Sequence, residues 1–325
     1  MLPGVGRGVT LGRMDEWDVM VVGGGAAGLS AALVLGRARR RTLVIDAGEQ
    51  SNRVAHGIGG LLGSDGRPPE ELYTTGRKEL ETYPSVEVRT GTVARGERRG
   101  DHDYVLELDD GTRIETPRVL LATGMDYRPI EVPGVWERWG RSVFHCPFCH
   151  GWEVRERPLC VLDPGASGVH RAQLLRMWSD DVTLLTDGPA QLEESELDQL
   201  RAAGVAIDER PVARLEGPGD ELSAVVFADG SERVCGGLLV AVTMHQRSSL
   251  ATQLGAATAP PNPLAEDSLV IDAMYETTAP GVFAAGDACV QMPSVANAIA
   301  AGSNAAAMIV RSIVESTYAV GSAAR

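Results

Sequence analysis

The stretch Asp18-Val19-Met20-Val21-Val22-Gly23-Gly24-Gly25-Ala26-Ala27-Gly28, answered at Arg41 to Asp46 by a second apolar run ending in an acid, decides the fold. An apolar strand breaks on glycine, and a small-residue helix spans Leu29 to Leu35. The next strand then closes on Asp46, 23 residues after Gly23. The Gly-x-Gly-x-x-Gly spacing thus stands in the strand–turn–helix–strand context that gives it meaning. Gly23 permits the tight turn, Gly25 lets the backbone approach a pyrophosphate, and Gly28 lets helix and strand pack closely. The helix start at Ala26 and Ala27 turns free N–H groups and a positive dipole end toward phosphates. Asp46 offers oxygens to ribose hydroxyls. The stretch predicts a dinucleotide site; a glycine-rich turn with no ligand is the plain alternative.

Working outward, residues 87–121 read as β-rich, with a hairpin turn at Asp109-Asp110-Gly111-Thr112. The run Val119-Leu120-Leu121 is a buried strand closing on Ala122-Thr123-Gly124. The opening pattern then recurs. Leu159 to Leu162 is a strand, Asp163-Pro164-Gly165-Ala166-Ser167-Gly168 a turn, Val169 to Trp178 a helix and Val182 to Thr186 a strand. Strands follow near 205–240, then an Ala- and Pro-rich loop at 256–264. Gly281 to Ala285 is a strand running into Gly286-Asp287, and Ser294 to Val314 is a long helix of small residues. The fold class is α/β, with two Rossmann-like dinucleotide-binding domains.

The chain has 325 residues, enough for about two domains at roughly 100–200 residues each. Its formal charge of −14 argues against nucleic acid as a partner, because a polyanion is repelled over most of such a surface. No run approaches the about 18–20 apolar residues of a membrane span, so no membrane association is expected. Residues 1–13 lack a secretory core. They are expected to be a disordered leader before a functional start at Met14, in a cytoplasmic protein. The 38 glycines against 5% aromatics suit tight strand-to-helix turns. Five cysteines, an odd number, do not form a disulfide framework. One close pair stands out in Cys146-Pro147-Phe148-Cys149, flanked by His145 and His150. Composition alone permits a metal site, a redox pair or an accident. Zinc is disfavoured, because no second Cys or His pair stands at ligand spacing. Cys160, Cys235 and Cys289 read as small buried apolar residues. His145 reads as a surface residue.

The order Gly23-x-Gly25-x-x-Gly28, Ala122-Thr123-Gly124, Cys146-x-x-Cys149, Gly286-Asp287 resembles the low-molecular-weight thioredoxin reductase group over about residues 17–315. The resemblance implies a three-layer β/β/α architecture in each domain, the second domain inserted in the first. The FAD-binding domain is then split as 14–128 and 253–325, with an inserted NAD(P)-like domain at 129–252 that carries the cysteines. It implies FAD as cofactor, a homodimer, and a Cys146–Cys149 disulfide facing the flavin with Cys149 nearer to it. FAD contacts are implied at the first glycine motif, at Asp46, Ala47, Asn52, His56 and Val93, and at Ala122, Thr123 and Gly124. Gly286 and Asp287 would meet the ribitol and pyrophosphate. The helix start at Ser294, Val295 and Ala296 would aim its positive end at the flavin.

Two departures from the reductase pattern set the functional expectation. In the second glycine turn, Asp163 and Pro164 stand where a glycine and an N–H donor are wanted, and a carboxylate repels pyrophosphate. After the next strand comes Thr186-Asp187-Gly188 in place of a basic run, so NAD(P)H use is expected to be lost. After the second cysteine stands His150 where reductases carry an acid; an imidazole suits a thiol-deprotonating base. Both changes resemble the FAD-dependent dithiol oxidase branch. Its members, of the gliotoxin, holomycin and romidepsin type, close intramolecular disulfides in small secondary metabolites for antibiotic biosynthesis. The expectation is oxidation of a small dithiol through Cys146, Cys149 and His150, with O2 as acceptor and H2O2 as product. An NAD(P)H-dependent disulfide reductase is the alternative. A flavin-bearing, non-catalytic protein that sequesters a metabolite is the alternative of another class. Trp136, Trp139, Phe144, Phe148 and Trp152 would surround the disulfide as substrate wall or core.

Overall fold

The computed structural model describes residues 17–289 and 292–318; the leader expected at 1–13 lies outside them. Strands β1 (Val19–Val22), β2 (Thr42–Asp46), β3 (Val86–Thr90), β7 (Val119–Leu121) and β18 (Val282–Ala284) form one parallel sheet in the order β18-β7-β1-β2-β3. Strand alternation explains its two faces. Val19 and Val21 point into a core shared with helices α1 (Ala26–Arg37), α2 (Pro69–Leu80) and α7 (Val295–Tyr318). Met20 and Val22 point the other way, against Tyr104, Leu106, Leu108 and Ile114. These belong to the antiparallel sheet of β4 (Val93–Gly100), β5 (Asp103–Leu108) and β6 (Arg113–Thr116), whose hairpin turns at 109–112 as expected.

The same three layers recur. Strand β10 (Leu159–Leu162) lies between β11 (Val182–Leu185) and β16 (Gly237–Val240), with β12 (Ala206–Asp208) and β9 (Val143–Phe144) at the edges. Leu159, Val161 and Leu184 face helices α4 (Ser167–Leu175) and α5 (Glu194–Ala202). Cys160, Leu162 and Leu238 face the antiparallel sheet of β13 (Val212–Glu216), β14 (Ala224–Phe227) and β15 (Glu232–Val234). Two Rossmann-like units are therefore present. The chain passes between the two parallel sheets along β8 (Met125–Pro129) and β17 (Val242–Gln246), which pair antiparallel before helix α6 (Leu250–Gln253) returns to β4. Among the described residues no helix is long and apolar enough to cross a membrane.

Gly28 shows why the first motif reads as it does. A Cβ built there would fall 1.8 Å from the carbonyl oxygen of Gly23 and 3.3 Å from Val21 Cγ1. Gly25 differs: its nearest neighbour would be Gln50 Cγ at 3.6 Å, an ordinary contact. Gly28→Ala should therefore lose about 1–3 kcal/mol or more from overpacking against backbone. Gly25→Ala should keep apoprotein stability and instead lose cofactor. Urea midpoints of the apoproteins and FAD content after dialysis separate the two effects.

Candidate active site

One cavity of about 520 Å³ gathers most of the expected residues. Its wall begins with Gly23, Gly25 and Ala26, continues through Asp46, Ala47, Asn52 and Val93, and includes Ala122, Thr123 and Gly124. Gly286, Asp287, Ser294, Val295 and Ala296 close it from the other end of the chain, and Cys146, Cys149 and His150 face it from the second unit. Ala27 also borders it, whereas Gly28 packs beneath the turn.

The residues present fit a dinucleotide. No side chain caps the start of α1 and no acid lies in its first turn, which leaves its early N–H groups for an anion. The open side of Gly25 serves the approach of a ligand, since no protein atom needs the space. Asp46 is more occupied than its sequence reading supposes. It accepts from the N–H groups of Gly24 (3.2 Å) and Gly48 (3.1 Å) and from Gln50 (3.0 Å), and it is ion-paired with Arg77. A ribose would share that carboxylate with the turn. Asp287 is half-buried and its carboxyl is pushed up by desolvation, opposed by the Tyr127 hydroxyl that donates to it at 2.9 Å and by the Arg247 charge. Arg247 also lines the cavity and was missed by the sequence reading. Its signal was a lone arginine just after a strand, which nothing local distinguishes.

Cys146 and Cys149 form a disulfide with Cα atoms 5.3 Å apart. Pro147 starts the one-turn helix α3 (Pro147–His150), in which Cys146 is the N-terminal flanking residue. Proline suits that first position because its missing N–H is not needed there. Both histidines bracket the disulfide. His150 stacks on Phe144 with centroids 5.7 Å apart, and neither of its ring nitrogens has a hydrogen-bond partner among the described residues. Burial pushes its pKa below the usual value, opposed by the nearby backbone of Gly140 and Cys146 and by the charge of Glu153. His145 corrects its surface reading. It is held between Tyr127 (4.8 Å) and Trp139 (5.7 Å), lines the cavity, and is pushed down to about 4, chiefly by burial and then by His150 and Arg171.

Two further expectations change. His56 is not part of the wall: its side chain is 72% exposed and its Nε2 lies 3.2 Å from the Asp220 carboxylate. Its neighbours Ala55 and Gly57 line the cavity, so the chain turns this one side chain outward. The aromatic group also divides. Phe144 is core, Trp139 and Phe148 line the cavity, and Trp136 and Trp152 are exposed away from it. Cys160 and Cys235 are buried as expected, and Cys289 is partly buried with its thiol pushed up to about 12 by burial and by Asp287.

The pyridine nucleotide-disulphide oxidoreductase family matches residues 17–302. The chain is 31% identical over 307 residues to thioredoxin reductase sirT of Leptosphaeria maculans, covering 89% of this chain and 92% of that one. Among solved structures it is similar to HlmI, at 36% identity and a TM-score of 0.88 over 94% of this chain and 95% of that chain. An oxidoreductase from Agrobacterium tumefaciens superposes with a TM-score of 0.87 at 35% identity, over 92% of this chain and 99% of that one. With its two dinucleotide-type units and a disulfide on one cavity, the chain belongs to the pyridine nucleotide-disulphide oxidoreductase family, as an FAD-binding enzyme of the thioredoxin reductase-like kind.

Proposed function

We propose that this protein is an FAD-dependent dithiol oxidase that closes an intramolecular disulfide in a small dithiol, with O2 as acceptor and H2O2 as product. The observation that carries this reading is the second glycine turn. There the Asp163 carboxylate, only 5% exposed, accepts from the Gly165 N–H (2.9 Å) and the Ser167 hydroxyl (2.8 Å) and is ion-paired with Arg171. The turn carries its own anion, so the donors and the cation that would meet a pyrophosphate are spent. Asp187, the counterpart of Asp46, has φ of 52° and accepts the Val212 N–H at 2.6 Å. A site so filled supports electrons entering from the dithiol and not from NAD(P)H.

The chemistry then follows the residues of the chain. His150 takes the proton of one substrate thiol, and the thiolate attacks Cys146 to give a mixed disulfide while Cys149 leaves as thiolate. The second substrate thiol gives its proton to the Cys149 thiolate and attacks the mixed disulfide, so Cys146 leaves as thiolate and the cyclic disulfide departs with the electron pair left on the cysteines. The turn at Gly23–Gly28, Asp287 and the start of α7 would hold the cofactor. FAD bound there would supply the two-electron acceptor for the reduced Cys146 and Cys149 and the redox link to oxygen.

Anaerobic reduction is the test. Dithiothreitol should bleach the flavin band at least about 100-fold faster than equal NADH or NADPH, roughly the loss expected when a binding determinant is spent elsewhere. Rapid, full bleaching by either nicotinamide would replace this reading with a reductase.

A further inference from the structure

The rim of the cavity carries a polar cluster that the chemistry above does not use. The loop at 51–60 belongs to the first unit, and Asn52, Val54 and Ala55 line the cavity from it. Its outward residue, His56, meets Asp220 of the second unit. Asp220 sits in the tight connection between β13 and β14, which is stapled from beneath. Ser142 donates to the Asp220 carbonyl at 2.6 Å, and the buried Arg138 donates to the carbonyls of Gly217 (2.5 Å) and Glu221 (3.1 Å). Arg141 then bridges the two units. Its Nε donates to the Val54 carbonyl at 3.0 Å, and its other end is ion-paired with Asp220. Gly140, at φ of 73°, brings backbone against the same loop: a Cβ there would fall 2.6 Å from Val54 Cγ2.

This segment leads directly to the redox pair, because Arg141 precedes Cys146 by one short strand, β9. The two parallel sheets are otherwise joined covalently only along β8 and β17. We propose that Arg141 and Asp220, with His56 as third member, form a clasp that holds the Cys146–Cys149 disulfide in register with the cofactor wall. They are thus positioning residues for electron exchange with the cavity. The inference rests only on the cysteine pair exchanging electrons with FAD, in either direction. Arg141 and Asp220 are both partly exposed, so losing their ion pair should cost little folding stability. Placement matters because a misplacement of about 1 Å costs on the order of 100-fold in rate.

Holoenzyme variants Arg141→Met, Asp220→Asn and Arg141→Lys test the proposal through two readouts. The first is single-turnover bleaching of the flavin by dithiothreitol under nitrogen. The second is the rate at which a bulky maleimide alkylates the reduced cysteines, followed on the peptide containing Cys146 and Cys149. Arg141→Met and Asp220→Asn should slow bleaching about 10–100-fold and speed alkylation several-fold, with melting temperature and FAD content nearly unchanged. Arg141→Lys should recover most of both, because it keeps the charge opposite Asp220. Unchanged bleaching and unchanged alkylation in both disruptive variants would overturn the clasp, as would slowed bleaching that Arg141→Lys fails to recover. Alkylation does not depend on the direction of electron flow. A wild type bleached by NADPH would therefore remove the oxidase reading and leave the clasp to be judged on its own data.

Discussion

Cys149→Ser is expected to abolish dithiol oxidation, with peroxide formation falling on the order of 10⁴-fold or more, as when one member of a unit-acting catalytic set is removed. The flavin should stay bound. Serine is nearly isosteric with cysteine, and the glycine turn, Asp287 and the start of α7 that face the other end of the cavity are untouched. No other thiol can stand in. Cys160 and Cys235 are buried in the core of the second unit, and Cys289, packed against the core of the first, has its thiol pushed up to about 12, so almost none is thiolate at neutral pH. Cys160→Ser and Cys235→Ser serve as controls that alter stability but not turnover. The assay is dithiothreitol bleaching under nitrogen together with peroxide release in air. The same variant separates catalysis from sequestration. If cells carrying Cys149→Ser remain fully protected against a toxic dithiol, the protein acts by holding the metabolite and the catalytic account is wrong.

The parts of this molecule legible in its sequence are those governed by short-range patterning. Continuous apolar runs at Val19 to Val22 and Leu159 to Leu162 marked strands buried on both faces, and the glycine spacing placed the turn that follows the first of them. The acidic residues Glu193 and Glu196 form a reciprocal capping box at the start of α5, a local pairing at a spacing of three. What escaped were contacts made across the fold. His145 looked like a surface residue because nothing beside it in sequence shows that Tyr127 and Trp139 close over it. The family resemblance implied a cofactor contact at His56, yet a single outward turn gives its side chain to Asp220. Asp163 lies between these cases. It stood out as a carboxylate in a phosphate turn, and the four-residue steps to Ser167 and Arg171 already put its partners on one helical face. Reading that spacing would have turned a merely repulsive residue into a self-filled site.

His150→Gln is the second large effect expected, a fall in kcat/KM of about 10²–10⁴-fold at neutral pH, the usual contribution of a positioned general base. Glutamine keeps the size and polarity of the side chain beside Phe144 but cannot take a proton. Burial holds the His150 pKa below 6.5, so the neutral, proton-accepting form persists where a free histidine would be half charged. The acid limb of the wild-type kcat/KM profile should therefore lie below pH 6.5 and vanish in the variant. Stability carries the same sign. The unfolded chain binds a proton near pH 6.5 and the folded chain only below it, so this contribution is complete above about pH 6.5 and is lost as pH falls through the folded pKa. His145 adds the same trend between about 6.5 and about 4. The variant should then depend on thiolate that the substrate supplies itself, and its rate should climb with pH through an ordinary thiol pKa of about 8.5. A purely orienting role for His150 would lower the rate at every pH alike. Recovery of the variant toward wild-type rates near pH 9 thus identifies the missing function as proton removal. A profile parallel to that of the wild type, with the acid limb in place, would move the base to another group.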